Sequence, residues 1–277
     1  MNLILLDVRG MVIQSVAVMT ERAALPFFKT IVNAVQKHPP ARVLACWDRK
    51  PEFKISISET YKQARREKPK ADEWAQEIGK QCDLALELLH LAGVDQFWAD
   101  GYEADDVIYT LTNRLSKTAG HIFIITRDRD LYQLVGDGVS LILPQGIEAD
   151  RVYVWEQTGG VEPGEYVDYL ALCGCRGDGV RGLRGIGPKK AVDLIRRYGT
   201  VGNMLAQPEL KPYKLSEGWK AQLEEAHRLV SLYDTSAKMT VWKGEQDWWK
   251  FTERAAEAGV PNLARLSRFE EIQRAFS

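Results

Sequence analysis

His121-Ile-Phe-Ile-Ile-Thr-Arg-Asp-Arg-Asp130 runs from an unbroken apolar stretch straight into two carboxylates. A run of that length with polar flanks reads as a buried strand. The same sentence is written elsewhere in the chain. Asn2-Leu-Ile-Leu-Leu meets Asp7, the run at 42–47 meets Asp48, and the run at 95–99 is followed by Glu103-Ala-Asp105-Asp106. A further apolar run lies at 139–143, and helical patterns fall between, at about 22–37, 72–92 and 104–118. Strand–helix alternation predicts an α/β fold, a mostly parallel sheet with helices on both faces. In such sheets functional groups gather beyond the carboxyl ends of the strands, which is where these acids fall. Clustered carboxylates repel one another unless cations sit among them, and oxygen ligands with no His or Cys nearby favour Mg²⁺ or Mn²⁺ over zinc.

Composition allows one large domain or two smaller ones: 277 residues, 45% hydrophobic and 27% charged. The formal charge of −1 is unevenly spread, because Arg49 to Lys70 and Arg176 to Arg197 are rich in Arg and Lys. An acidic pocket between two basic stretches suits a polyanion. The apolar start is short and meets Asp7 at once, so it reads as a first strand and not a signal peptide. No run approaches membrane-spanning length, and Cys46, Cys82, Cys173 and Cys175 lack CxxC spacing. A cytoplasmic protein, with no membrane contact, is the plain expectation.

Any single Asp here is better read as a helix cap or a solvated strand end. The set is not, because several coincide with strand ends and two motifs are dense. Glu103 and Asp106, three apart at a helix start, share one face, and the helix amino end tolerates negative charge. From about residue 165 the pattern turns helical, with a Gly-rich connection between Gly174 and Gly187. The tail from Thr235, with Trp242, Trp248 and Trp249, is expected to pack back on the core.

Leu5-Leu6-Asp7, Trp47-Asp48, Gly101-Tyr-Glu-Ala-Asp-Asp-Val107, Ile125-Thr-Arg-Asp-Arg-Asp-Leu131 and Gly185-Ile-Gly-Pro-Lys189 occur in the order seen in 5′ nucleases. The chain resembles the bacterial and phage flap endonuclease/5′–3′ exonuclease family, which includes the 5′ nuclease domain of DNA polymerase I, over residues 2 to about 235. The resemblance implies a PIN-like core at 1–164 with an arch at about 50–70, a helix–hairpin–helix (helix–three-turn–helix) region at 165–235, and a tail at 236–277. It implies a monomer that cuts DNA with a 5′ flap, free 5′ end or junction, using two divalent ions. One ion would be held by Asp7, Asp48, Glu103 and Asp105. Asp106 and Asp128 would lie between the sites, and Asp130 with Asp178 would serve the second. Asp128 and Lys62 are the expected catalytic pair, with Lys62 reaching the scissile phosphate.

Two positions depart from the family pattern. Gly174-Cys175-Arg176-Gly177-Asp178 carries Cys175 where a carboxylate is usual: either the second site is weaker for Mg²⁺, with Mn²⁺ a partial rescue, or Cys175 is simply a small buried residue and Asp130 with Asp178 suffices. Asp7-Val-Arg-Gly10 stands where Asp-Gly-Asn is common.

In the basic segment, Lys62, Arg65 and Arg66 are expected on neighbouring parts of one helix, with Tyr61 or Phe53 free to stack on a base. In the hairpin, Gly185 and Gly187 let a phosphate approach, Pro188 suits a first helical turn, and Arg184, Lys189 and Lys190 are phosphate partners. A bound K⁺ is possible there by the resemblance. Two other readings stand beside the nuclease: a flap- or duplex-binding protein weakened in catalysis through Cys175, and a PIN-type ribonuclease.

Overall fold

The structure is a computed structural model that describes residues 1–67 and 73–263. Residues 68–70 of the expected arch and 264–277 of the tail therefore lie outside the described residues. Seven strands form one sheet, ordered β6-β5-β4-β1-β2-β3-β9. In it β1 (Asn2–Asp7) pairs in parallel with β2 (Ala41–Cys46) and β4 (Ile122–Ile125). β3 (Asp95–Ala99) and β5 (Val139–Leu143) extend the parallel region outward. The edges β6 (Ile147–Ala149) and β9 (Met239–Trp242) run antiparallel.

Side-chain alternation along each strand explains the two cores. Leu3, Leu5, Leu44, Ile122 and Ile124 face one layer, packed with α6 (Ala104–Leu115) and the later helices. Ile4, Leu6, Val43, Ala45, Phe123 and Ile125 face the other, against α1 (Val8–Val18), α2 (Ala24–Lys37) and α5 (Glu73–Leu91). Among the described residues between α2 and α5 lie two short helices, α3 (Glu52–Ile57) and α4 (Gln63–Arg66), with Lys62 outside the helix expected to carry it.

After α7 (Arg151–Thr158) come α8 (Tyr166–Cys173), a two-stranded ribbon of β7 (Gly174–Cys175) with β8 (Val180–Arg181), and α9 (Pro188–Tyr198). α10 (Val201–Leu205) and α11 (Trp219–Val230) complete this helical part. The chain then returns to the sheet: β9 pairs with β3, and α12 (Trp248–Glu257) buries Phe251 against Phe28, ring centroids 5.5 Å apart.

α1 starts at the residue after β1, an element the apolar pattern conceals. Asp7 makes the switch, because its side chain accepts the amide of Gly10 and caps the new helix. A Cβ on Gly10 would lie 2.3 Å from Asp7 Oδ2, so this position has to be glycine for the carboxylate to sit there.

Candidate metal centre and nucleic-acid interface

The strand order places β4, β1, β2 and β3 side by side, so Asp128, Asp7, Asp48 and Glu103 follow their ends in spatial sequence. Asp7 Oδ1 accepts from Gly10 N at 3.1 Å and Oδ2 from the Thr126 hydroxyl at 2.8 Å. The Thr126 hydroxyl oxygen in turn accepts from Asp128 N at 2.9 Å, which ties the end of β4 to that of β1. Asp48 Oδ1 accepts from Ala104 N at 3.1 Å and joins β2 to the start of α6. Asp128 Oδ1 accepts from Asp130 N at 2.9 Å and caps the helical turn Arg129–Leu134.

Repulsion links these acids into one cluster. Burial, then Asp48, pushes Asp7 up to about 7. Burial, then Asp128 and Asp178, raises Asp130 to about 7 as well. Burial, then Asp128 and Asp7, holds Asp105 well above the usual carboxylate range. Asp48 is raised by burial, with Glu103 adding to it against the Ala104 amide. Among the described residues, Asp7, Asp48, Asp105, Asp128 and Asp130 have no salt-bridge partner. Five crowded oxygen-ligand side chains without a salt-bridge partner fit a hard divalent cation.

The other acids are differently placed. Glu103 Oε1 accepts from Lys62 Nζ and Oε2 from the Tyr61 hydroxyl, both at 2.6 Å, and Lys54 Nζ stands 3.7 Å from Oε2. Burial works to raise the Glu103 pKa, but Lys62 and Lys54 outweigh it and the net shift is down. Asp178 lies 3.3 Å from Lys62 Nζ and 3.1 Å from the Arg65 guanidinium. Cys175 does stand beside the second group: its sulfur and one oxygen each of Asp130 and Asp178 lie within 4.8 Å of one another. Burial, with those two acids, pushes its thiol up to about 12, so it stays neutral.

The structure adds to one expectation and corrects two. Asp106 also holds structure together: one oxygen accepts from Glu103 N at 3.4 Å and the other from Tyr233 N at 2.9 Å, closing a capping box and anchoring a distant loop. Tyr61 cannot stack on a base, because it is 2% exposed with its hydroxyl on Glu103. Lys62, Arg65 and Arg66 do not share one helix; Lys62 precedes α4 with a left-handed φ of 50°, and its amide donates to Asp178 O at 2.7 Å. Arg66 donates to the carbonyls of Tyr61 and Glu59 and closes the turn. Phe53 stays half-buried, stacked on Tyr102.

Sequence reasoning missed Thr126, Gly10 and Lys54. The first two had a local signal, a hydroxyl and a glycine within a few residues of the acids. Lys54, 4% exposed on α3, had none.

The hairpin Gly182–Gly187 joins the ribbon to α9, with Leu183 and Ile186 buried and Arg184, Gly185, Lys189 and Lys190 exposed. Gly185 has φ 79° with open space around it, Gly187 precedes the helix, and Pro188 fills its first turn. Lys190 Nζ donates to Gly185 O at 2.8 Å. No described helix is long and apolar enough to cross a membrane.

Residues 11–159 match the family model of the 5′-3′ exonuclease N-terminal resolvase-like domain, and 161–249 that of the 5′-3′ exonuclease C-terminal SAM fold. A 5′-3′ exonuclease of Aquifex aeolicus is 33% identical over 210 residues, covering 75% of this chain and 70% of that protein. The thermostable DNA polymerase I of Thermus thermophilus is 34% identical over 213 residues, 76% of this chain; the match spans only 25% of the polymerase. The structure of bacteriophage T5 D15 flap endonuclease, solved with DNA and metal ions, shares the fold over 100% of both chains, with TM-score 0.71 and 20% identity. The chain belongs to the 5′-3′ exonuclease family.

Proposed function

We propose, on that membership, that this chain is a structure-specific DNA 5′ nuclease that hydrolyses phosphodiesters near single-strand/duplex junctions, at 5′ flaps and free 5′ ends. One observation carries the reading: carboxylates with no salt-bridge partner among the described residues lie at the strand ends, beside a lysine and an arginine of the segment after β2. A phosphodiester drawn between such groups meets cations on one side and the ion-holding acids on the other.

Asp7, Asp48, Asp105, Asp128 and Asp130 would hold Mg²⁺ or Mn²⁺. Bound there, divalent ions supply Lewis-acid charge at the phosphate and lower the pKa of the attacking water. The chain's own residues do the rest. Thr126 and the Gly10 amide fix the Asp7 carboxylate, and the Asp130 amide fixes Asp128. Lys62 and Arg65 steady the charge developing on the phosphate oxygens. Arg184, Lys189, Lys190 and the free amides at the start of α9 hold the duplex through its backbone, which positions without reading sequence. A K⁺ at the hairpin would compete with the Lys190 ammonium for the Gly185 carbonyl.

On this reading 1–164 is the nuclease core, 165–235 the duplex grip and 236–277 a brace, of which β9 and α12 rest on the sheet and α5. The protein acts as a monomer in the cytoplasm, in keeping with its four unpaired cysteines.

Cleavage of labelled 5′-flap DNA in Mg²⁺ and in Mn²⁺, beside an RNA of the same sequence, tests the proposal. Cutting of DNA near the flap junction, abolished in Asp128→Ala with duplex binding kept, is the expected result. Preferential RNA cutting would favour the ribonuclease. A weakened, binding-only protein is the reading favoured by the neutral Cys175 thiol, and tight flap binding without cutting in either ion would establish it.

A further inference from the structure

The acidic centre is divided by charge into two unlike halves. In one, Asp7, Asp48, Asp105, Asp128 and Asp130 make no salt bridge among the described residues, although Lys62 acts on Asp48, Asp105 and Asp130 from beyond contact distance. In the other, Glu103 and Asp178 are bridged by Lys62 Nζ, at 2.6 and 3.3 Å. Arg65 adds a contact to Asp178 at 3.1 Å, and Lys54 stands 3.7 Å from Glu103. The bridging lysine is fixed from several sides. Its side chain is 13% exposed, its amide donates to Asp178 O, and its φ of 50° is one that side chains other than glycine rarely adopt. Beside it, at the donor-atom cluster of Asp130, Cys175 and Asp178, the chain has a neutral thiol.

We propose that the Lys62 ammonium is the resident cation of the Glu103–Asp178 half, so that this protein holds one divalent ion tightly and admits a second only as Lys62 withdraws. The inference deepens the nuclease reading and rests on it. An ammonium and a divalent ion repel one another across shared carboxylates, so the two compete. The group that would draw Lys62 away is the one it would serve, a phosphodiester oxygen. Substrate backbone and second ion are therefore linked: each favours the arrangement in which Lys62 has left Glu103 and Asp178. Because Cys175 adds no charge to this half, the single lysine with its neighbour Arg65 suffices to neutralise it.

The test is Mn²⁺ binding to metal-free protein without DNA, followed by electron paramagnetic resonance. Wild type should take up one strongly held ion. Lys62→Met should bind two, with the weaker site tightened about tenfold to a hundredfold, the scale on which groups that engage metal ligands alter metal affinity. Lys62→Gly, which suits the left-handed backbone, should do the same and guards against a folding defect in the first variant. Two equally strong ions in wild type would overturn the inference, and so would a second site unchanged in both variants; either leaves the nuclease reading standing. No Mn²⁺ binding in any of the three would overturn both.

Discussion

Replacing Asp7 with Asn should stabilise the metal-free protein, and more so as the pH rises. Asp7 is 6% exposed, and burial with the charge of Asp48 lifts its pKa from 3.8 to about 7. The folded state therefore keeps a proton that the unfolded chain releases near pH 4. Between those values folding must hold on to that proton, so stability falls with rising pH and levels off above about 7. A shift of about three units corresponds to about 4 kcal/mol, at about 1.36 kcal/mol per unit. Little more than a third of it is felt at pH 5, and all of it at pH 8.

Asparagine carries no such titration. Its oxygen can accept the Gly10 amide, and its NH₂ group can donate to Thr126, whose hydroxyl rotates to receive it. Whatever constant difference the replacement brings, its advantage over wild type should grow by about 2–3 kcal/mol from pH 5 to pH 8. For a chain of this size that is about 5 °C in Tm. Thermal and urea unfolding in excess chelator would measure it at both pH values. The raised pKa of Asp130 acts in both proteins and cancels in the comparison. Saturating Mn²⁺ should reverse the order, since a ligand that binds only the folded state stabilises the protein that binds it better. An advantage independent of pH, or none at pH 8, would refute the claim that Asp7 is held against its own ionisation.

Three further outcomes follow from the same contacts. Tyr61→Phe removes the hydroxyl that donates to Glu103 at 2.6 Å and should cost about 1.5–3 kcal/mol in urea unfolding; no loss would mean the contact is idle. Gly10→Ala places a Cβ 2.3 Å from Asp7 Oδ2, so Mn²⁺ affinity should fall about tenfold with helix content by circular dichroism unchanged. Unaltered affinity would remove Asp7 from the ligand set. Arg184→Ala and Lys189→Ala should each weaken duplex binding across sequences and reduce its salt slope by about one. A changed sequence preference at constant slope would contradict backbone contact.

The parallel core was legible because buried strands announce themselves by length and apolarity, and their acids follow by position. The fold is legible on those grounds, and the family on the resemblance of its motifs. α1 was not, since Val8-Arg-Gly-Met-Val-Ile continues the apolar character of β1, and only the Asp7 cap tells the chain to coil. The edge strands β6 and β9 were missed because they are short; β9, largely exposed, owes its form to pairing with β3 from the far end of the chain. Side-chain roles were lost wherever the deciding partner was distant. Tyr61 and Lys62 meet Glu103 across 42 and 41 positions, and Asp106 meets Tyr233 across 127. Spacing within a motif could pair Glu103 with Asp106, but not say that one faces lysines and the other backbone amides.

The Cys175 departure shows why this matters for the site. Taken as a motif mismatch, it removes one ligand from one ion. In the folded chain its effect depends on what surrounds it. Lys62, Arg65 and Lys54 stand against Glu103, Asp178 and Asp106, a nearly balanced set. A carboxylate at 175 would unbalance that set and give a second divalent ion a reason to enter. A neutral thiol leaves it nearer balance, and leaves the acids without a salt bridge at Asp7, Asp48, Asp105, Asp128 and Asp130. Repulsion that folding cannot relieve then sits where an ion can, which is the condition for a site that is costly empty and tight when filled.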